Sequence, residues 1–260
     1  FIVWAMYAAH QITVWVLLIK QRNSKSEKDT IVLLVVNAFF ILMHFLQSHI
    51  WYDGLAQDTP VWSSQGSVIV MLVLILLMDN KRRGLFFGRK IEGFNNITAF
   101  VRKYHGYFIA WAVIYTFWYH PMVSTNGHLM GFFYLFLLFI QMSFAYTKFH
   151  TNKYWMFILE IAVLIHGTTV AIDQGQNMWP MFLFGFGLMA VVTQIYGLGL
   201  SKIQIRIIQL IYLIAVLYVF GFTSIRSISD VHQITWIPVI EYGLVFVFMI
   251  VGEFLLKKKG

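Results

Sequence analysis

Cysteine is absent from the 260 residues. That removes disulfides, thiolate metal sites, iron–sulfur clusters and thiol nucleophiles, and says nothing about compartment. Charge is scarce as well. Only 12% of the chain is Asp, Glu, Lys or Arg, against roughly a quarter in soluble globular domains. No Gly-rich phosphate loop occurs, and the SSQGS stretch at 63–67 opens an apolar segment rather than following a strand, so it is no nucleophile elbow. Paired acidic motifs for prenyl or phosphoalcohol transfer are missing, and the last apolar segment has no lysine of the retinal-binding kind. Runs such as IVLLVVNAFFILM do not alternate, which excludes a transmembrane β-barrel.

What is there is apolar. The chain is 59% hydrophobic with a mean hydropathy of +0.71, and its charges come in short bursts between long apolar runs. A membrane-spanning helix needs about 20 mostly apolar residues. Nine segments approach that length: 1–19, 30–50, 63–78, 104–120, 128–146, 154–171, 178–198, 205–222 and 237–256. The expected fold is therefore all-α, a polytopic bundle of about nine transmembrane helices forming a single transmembrane domain over 1–260. Such a chain is an integral, multi-pass protein of a bacterial inner membrane or of a plasma or organelle membrane. The chain opens on Phe1 rather than Met, so a missing N-terminal segment or a removed signal is expected before it.

The positive-inside rule gives the orientation. Basic residues fall in 20–29, in 79–103, at Lys148 and Lys153, at Lys202 and Arg206, and at Lys257, Lys258 and Lys259. These alternate connections hold all of the 19 Lys and Arg residues except Arg226. The opposite connections carry Asp53, Asp58, Asp173 and Asp230. The N-terminus is thus expected outside and the C-terminus in the cytoplasm. The RRGLFFGRK stretch at 82–90 mixes basic and aromatic residues, which suits an interfacial segment on anionic headgroups and points away from nucleic acid. Trp51, Trp62, Trp118, Tyr119, Trp179 and Trp236 lie near the outer ends as an aromatic belt.

The polar residues inside this bundle carry the functional expectations, because ionisable groups at membrane depth are costly and tend to mark function. HFLQSHIWYDGLAQDTPVWSSQ at 44–65 interrupts two apolar runs as the first outer loop. Asn37, His44 and Ser48 form one helical stripe, and if the helix continues, His49 and Asp53 share another. In 166–173, His166, Thr169 and Asp173 line one face. Imidazole plus carboxylate is a ligand set for Fe, Cu, Zn or Mn. The expected metal ligands are His44, His49, Asp53, His166 and Asp173, with His120, His128 and His232 as further or supporting groups. Against this stands the plainer expectation that each histidine only bonds a neighbour.

A second constellation pairs His105 with His150 and His120 with His166 as two bis-histidine haem sites, one in each leaflet. The 15 residues from 105 to 120 span about 22 Å of helix. Around the helix His105 and His120 differ by about 60°, but His150 and His166 by about 160°, unless His150 lies in the preceding loop. This layout resembles dihaem b-type membrane cytochromes in arrangement only, without their spacing and glycine pattern, and what the resemblance implies is b-type haem as cofactor.

Glu160, Glu241 and Gln141 form a third set, able to line an ion or proton path. The leading expectation is a membrane-embedded metal- or haem-binding redox protein with a His/Asp-rich site near the outer surface. The rivals are a transporter or channel using the intramembrane Glu and Gln residues, and a non-catalytic subunit packed against membrane protein partners or copies of itself.

Overall fold

The computed structural model describes residues 1–24, 26–120 and 123–257. Lys25, Lys258 and Lys259, which enter the charge count above, lie outside the described residues. Among the described residues there are nine α-helices: α1 (Ile2–Ser24), α2 (Glu27–Trp51), α3 (Val61–Arg83), α4 (Asn95–Tyr119), α5 (Asn126–Ser143), α6 (Lys153–Asp173), α7 (Trp179–Val192), α8 (Lys202–Gly221) and α9 (Trp236–Lys257). Eight of them, some extended by a flanking 3-10 turn, are long and apolar enough to cross a membrane. The remaining one, α4, begins with the polar stretch NNITAFVRK. The chain is a multi-pass integral membrane protein.

Two compact units make up the chain, 1–72 with 103–152 and 73–102 with 153–260. The division falls within α3 and α4. In the first unit α1 packs on α2 and α2 on α5. In the second, α7 packs on α6, α8 and α9. The central place of α7 follows from its composition, WPMFLFGFGLMAVV, apolar on every side. A Cβ on Gly185 would stand 2.9 Å from Ile237 Cδ1, so the small residue is what lets α9 come this close. By contrast α8 leaves Ile207, Leu210, Ile214 and Leu217 uncovered by protein, the pattern of a helix facing lipid.

Helix ends are set by local chemistry. Ser26 caps α2 by accepting from Lys28 N, and Ser201 with Gln204 forms a capping box on α8. The first turn of α4 is capped from far away. Glu253 of α9 accepts from Asn96 N at 3.0 Å, Ile97 N at 3.1 Å and Asn96 Nδ2 at 3.0 Å. A carboxylate at a helix N-terminus satisfies otherwise unpaired N–H groups and meets the positive end of the dipole.

The RRGLFFGRK stretch keeps Arg82, Arg89 and Lys90 at the surface and turns its centre inward. It forms a tight turn in the second unit, with Leu85 N donating to Arg89 O at 3.0 Å and Arg89 N to Phe86 O at 2.8 Å. Gly84 adopts φ +77, and a Cβ there would meet Arg89 O at 2.6 Å, so only glycine closes this turn. Leu85 is fully buried, and the Phe86 ring lies 4.4 Å from that of Tyr242 and 6.0 Å from that of Phe246. Arg89, Lys90 and Phe87 remain exposed.

Candidate functional site

The interior of the first unit holds a chain of polar side chains whose proton positions follow from donor and acceptor types. The Trp118 indole N–H only donates, and it donates to His10 Nδ1 at 3.1 Å. The proton of His10 therefore sits on Nε2, which donates to Asn37 Oδ1 at 3.0 Å. Asn37 Nδ2 donates in turn to Ser143 Oγ at 2.9 Å, and the Ser143 hydroxyl to Phe139 O at 2.8 Å. Gln21 joins the same region, donating to Thr30 Oγ1 and to Ser143 O, both at 2.9 Å. The His10 ring stacks on Phe40 at 4.4 Å and has no exposed surface. Both nitrogens of this imidazole are spent, so His10 ties α1, α2, α4 and α5 together rather than offering a ligand. Trp118 is fully buried as a donor in this chain, so it is core and not part of an interfacial belt. The partners that define the role of His10 come from three other helices, so its spacing along α1 carries no sign of them.

The stripe of Asn37, His44 and Ser48 is buried as one face of α2. His44 is closed off in the same way as His10. A carbonyl only accepts, so His44 Nε2–H donates to His120 O at 3.0 Å, while Nδ1 faces Ser48 Oγ at 3.4 Å. Its ring is packed against Phe117 at 4.5 Å and Trp118 at 4.8 Å. His49 is exposed and its Nδ1–H donates to Phe45 O of its own helix at 2.8 Å. The helix does not continue to Asp53. It stops at Trp51, where Tyr52 takes a left-handed conformation with φ 47, so no shared face with His49 forms. Asp53 Oδ2 instead accepts from Val3 N at 3.4 Å, and its carbonyl from Gln47 Nε2 at 3.0 Å.

His120 and His128 lie beside each other at the end of α4 and the start of α5. Their rings are 5.4 Å apart and nearly perpendicular. The N-cap Thr125 accepts from His128 N, and its Oγ1 is 2.7 Å from His128 Nδ1. In the second unit, His166 and Asp173 belong to α6, with Asp173 its last residue and exposed, while the Thr169 hydroxyl donates to Ile165 O at 2.9 Å. His232 sits in the 3-10 turn Ile228–Thr235, its Nδ1–H donating to Ser229 O at 2.8 Å. Among the described residues no three His, Asp or Glu side chains gather as a group able to hold a metal ion.

The residues of the ion-path set are mostly engaged. Glu160 forms an ion pair with Arg83, which also bonds Asp79 at 3.2 Å and whose side chain is 1% exposed. Gln141 is bonded to His150. Glu241 is buried with no hydrogen-bond partner on Oε2.

One histidine, His150, combines a fixed tautomer with a second imidazole beside it. His150 sits in the 3-10 turn Phe149–Thr151, between α5 and α6, and His105 in the third turn of α4. Gln141 clasps His150 twice: its side-chain Nε2 donates to His150 O at 3.1 Å, and its carbonyl accepts from His150 Nδ1 at 3.0 Å. Because that carbonyl can only accept, the His150 proton is on Nδ1 and Nε2 carries the lone pair. Burial holds the His150 imidazole below the usual histidine range, opposed by the Gln141 carbonyl and reinforced by the neighbouring His105. The ring is therefore neutral at neutral pH. The His105 and His150 ring centres are 6.1 Å apart, with 38° between their planes. Two imidazoles bound to one metal from opposite sides, each nitrogen about 2.0–2.1 Å from it, have ring centres roughly 6 Å apart. Gln141, which orients this ring, went unassigned to the histidines in the sequence because nothing in its spacing ties it to a residue beyond the end of its helix.

No protein-family model matches this chain, and neither a curated protein nor a solved structure matches it.

Proposed function

We propose that this chain is a membrane-embedded redox protein that holds a b-type haem, or a redox-active transition-metal ion such as Fe, Cu or Mn, between His105 and His150. The observation that carries this reading is the fixed tautomer of His150. Its Nδ1–H is anchored on the Gln141 carbonyl, which aims Nε2 as the ligating nitrogen, the arrangement second-shell groups impose on metal-bound histidines. His105 supplies the second ring at a spacing that suits one metal between the two. When bound, such a group would supply one-electron chemistry; the chain's own contribution is to hold the His150 ring neutral and oriented and to set the His105 ring beside it. His120 and His128 form a second candidate pair, 15 residues further along α4 for the first of them, or about 22 Å. Two pairs at that separation support a two-site path for electrons across the first unit.

In this reading Phe1 lies on the non-cytoplasmic side and the chain ends in the cytoplasm, supported by the alternation of basic loops. His105 and His150 then belong to the cytoplasmic leaflet and His120 with His128 to the outer one. The outer His/Asp ligand set is less well supported, since both ring nitrogens of His44 are committed to hydrogen bonds. A transporter reading draws support from one residue, the buried Glu241, whose Oε2 has no hydrogen-bond partner.

The test is the full chain purified in mild detergent. The reading expects a Soret band with near-stoichiometric iron, or a comparable content of another metal, and its loss in His105→Ala and His150→Ala. Protein with no Soret band and metal far below one per chain would overturn it.

A further inference from the structure

The first unit contains an amide that the surrounding protein leaves unserved. Gln11 of α1 is 5% exposed, and neither Oε1 nor Nε2 has a hydrogen-bond partner. A buried amide with both ends unpaired is rare and costly in native structures, and more so at membrane depth. Its neighbours are aromatic. Tyr7 and Trp15 lie one turn before and after Gln11 on the same flank of α1. Opposite them runs α4: the Tyr7 ring is 5.8 Å from that of Tyr115, the Tyr7 side chain lies beside Trp111, and Trp15 Nε1 donates to Tyr107 O at 3.1 Å. The contacts show α1 and α4 antiparallel, and they bracket Gln11 at the level of Trp111. The Trp111 and Tyr115 rings are parallel to within 15°, with centres 6.0 Å apart. Tyr115 is itself oriented by Ser63, whose hydroxyl lies 2.7 Å from the Tyr115 hydroxyl.

We propose that Gln11, with Tyr7, Trp15, Trp111 and Tyr115, forms a binding site for the head ring of a lipid-soluble quinone. The chemistry selects that class. A ligand reaching this depth must dissolve in hydrocarbon, a flat ring matches the aromatic faces, and a ring carbonyl takes the Gln11 N–H that no protein group accepts. A headgroup cation would suit the aromatic faces equally, but it offers nothing to that N–H. The site is read from its own geometry; its use by an electron carrier rests on the redox reading above.

The experiment uses the full chain in lipid nanodiscs, with decylubiquinone as probe and quenching of tryptophan fluorescence as the signal. Wild type should quench saturably, above the level of free tryptophan analogue in empty nanodiscs. Gln11→Leu should bind about tenfold more weakly while melting no lower than wild type, since it replaces an unpaired polar group by an apolar one. Trp111→Leu, a second variant, should weaken binding as well. Non-saturable quenching in wild type, or unchanged binding in Gln11→Leu, overturns the proposal and leaves Gln11 served by water alone. His150→Ala should keep quinone binding whether or not it loses a Soret band, so failure of the redox reading and failure of this site are seen separately.

Discussion

Asn37→Leu tests whether the polar chain inside the first unit holds it together. Asn37 is 2% exposed and bridges two groups, accepting from His10 Nε2–H and donating to Ser143 Oγ. Leucine removes both bonds, with unequal consequences. Ser143 keeps its own donation to Phe139 O and loses only an incoming proton, which is cheap for a hydroxyl. His10 is left with a buried N–H and no acceptor. It cannot escape by moving the proton to Nδ1, because the Trp118 N–H already occupies that nitrogen. An orphaned buried donor costs about 1–3 kcal/mol, and interhelical hydrogen bonds in membranes average about 0.6 kcal/mol with a maximum near 1.7. The expected loss is therefore about 2 kcal/mol. The assay is reversible unfolding in mixed micelles, with His10→Phe and the double variant closing a cycle. Their coupling should reach about 1 kcal/mol, above the scatter expected of independent sites. A loss of only a few tenths, or additivity within that scatter, would refute the reasoning that fixed the tautomer of His10.

Two further outcomes follow from the ionisable residues. The folded chain favours neutral His150, whose pKa lies below the ordinary value of 6.5. This contribution to stability is complete above that value and is lost as pH falls through the folded-state pKa. The melting temperature of wild type should therefore drop more steeply than that of His150→Gln between about pH 7 and about pH 5, and equal slopes would contradict the assignment. Arg83 is buried against Asp79 and Glu160, so Arg83→Met should cost about 3–5 kcal/mol by stranding a carboxylate. Adding Glu160→Leu should recover most of that in the same unfolding assay, and a double variant no better than the single would argue against the pair.

The helices were legible because apolar runs of membrane length have few alternatives. Their ends were not, where a distant residue decides them. The helix α4 starts at Asn95 rather than near Tyr104 because Glu253, 157 residues beyond Asn96, caps its first turn. The helix α7 stops at Val192 because the Thr193 hydroxyl is drawn to Leu85 O at 2.6 Å, a carbonyl in the turn after α3. The same distinction holds for the histidines. The buried stripe of Asn37, His44 and Ser48 follows from helical spacing alone. The separation of His49 from Asp53 depends on one left-handed residue, Tyr52, which no period announces. His150 lies outside α6 in a turn of its own, so an angle computed around that helix does not describe it. Its orientation by the Gln141 carbonyl is a backbone contact that carries no side-chain signature.

The central claim is that His105 and His150 share one redox-active group. The dithionite-reduced minus air-oxidised absorption spectrum of the purified chain, taken beside that of His150→Ala, tests it most directly. The account predicts the sharp α and Soret difference bands of a bis-histidine b-type haem in wild type and their loss in the variant. If the haem bands survive undiminished in His150→Ala, or if wild type shows no redox difference spectrum and binds no metal, the account is contradicted.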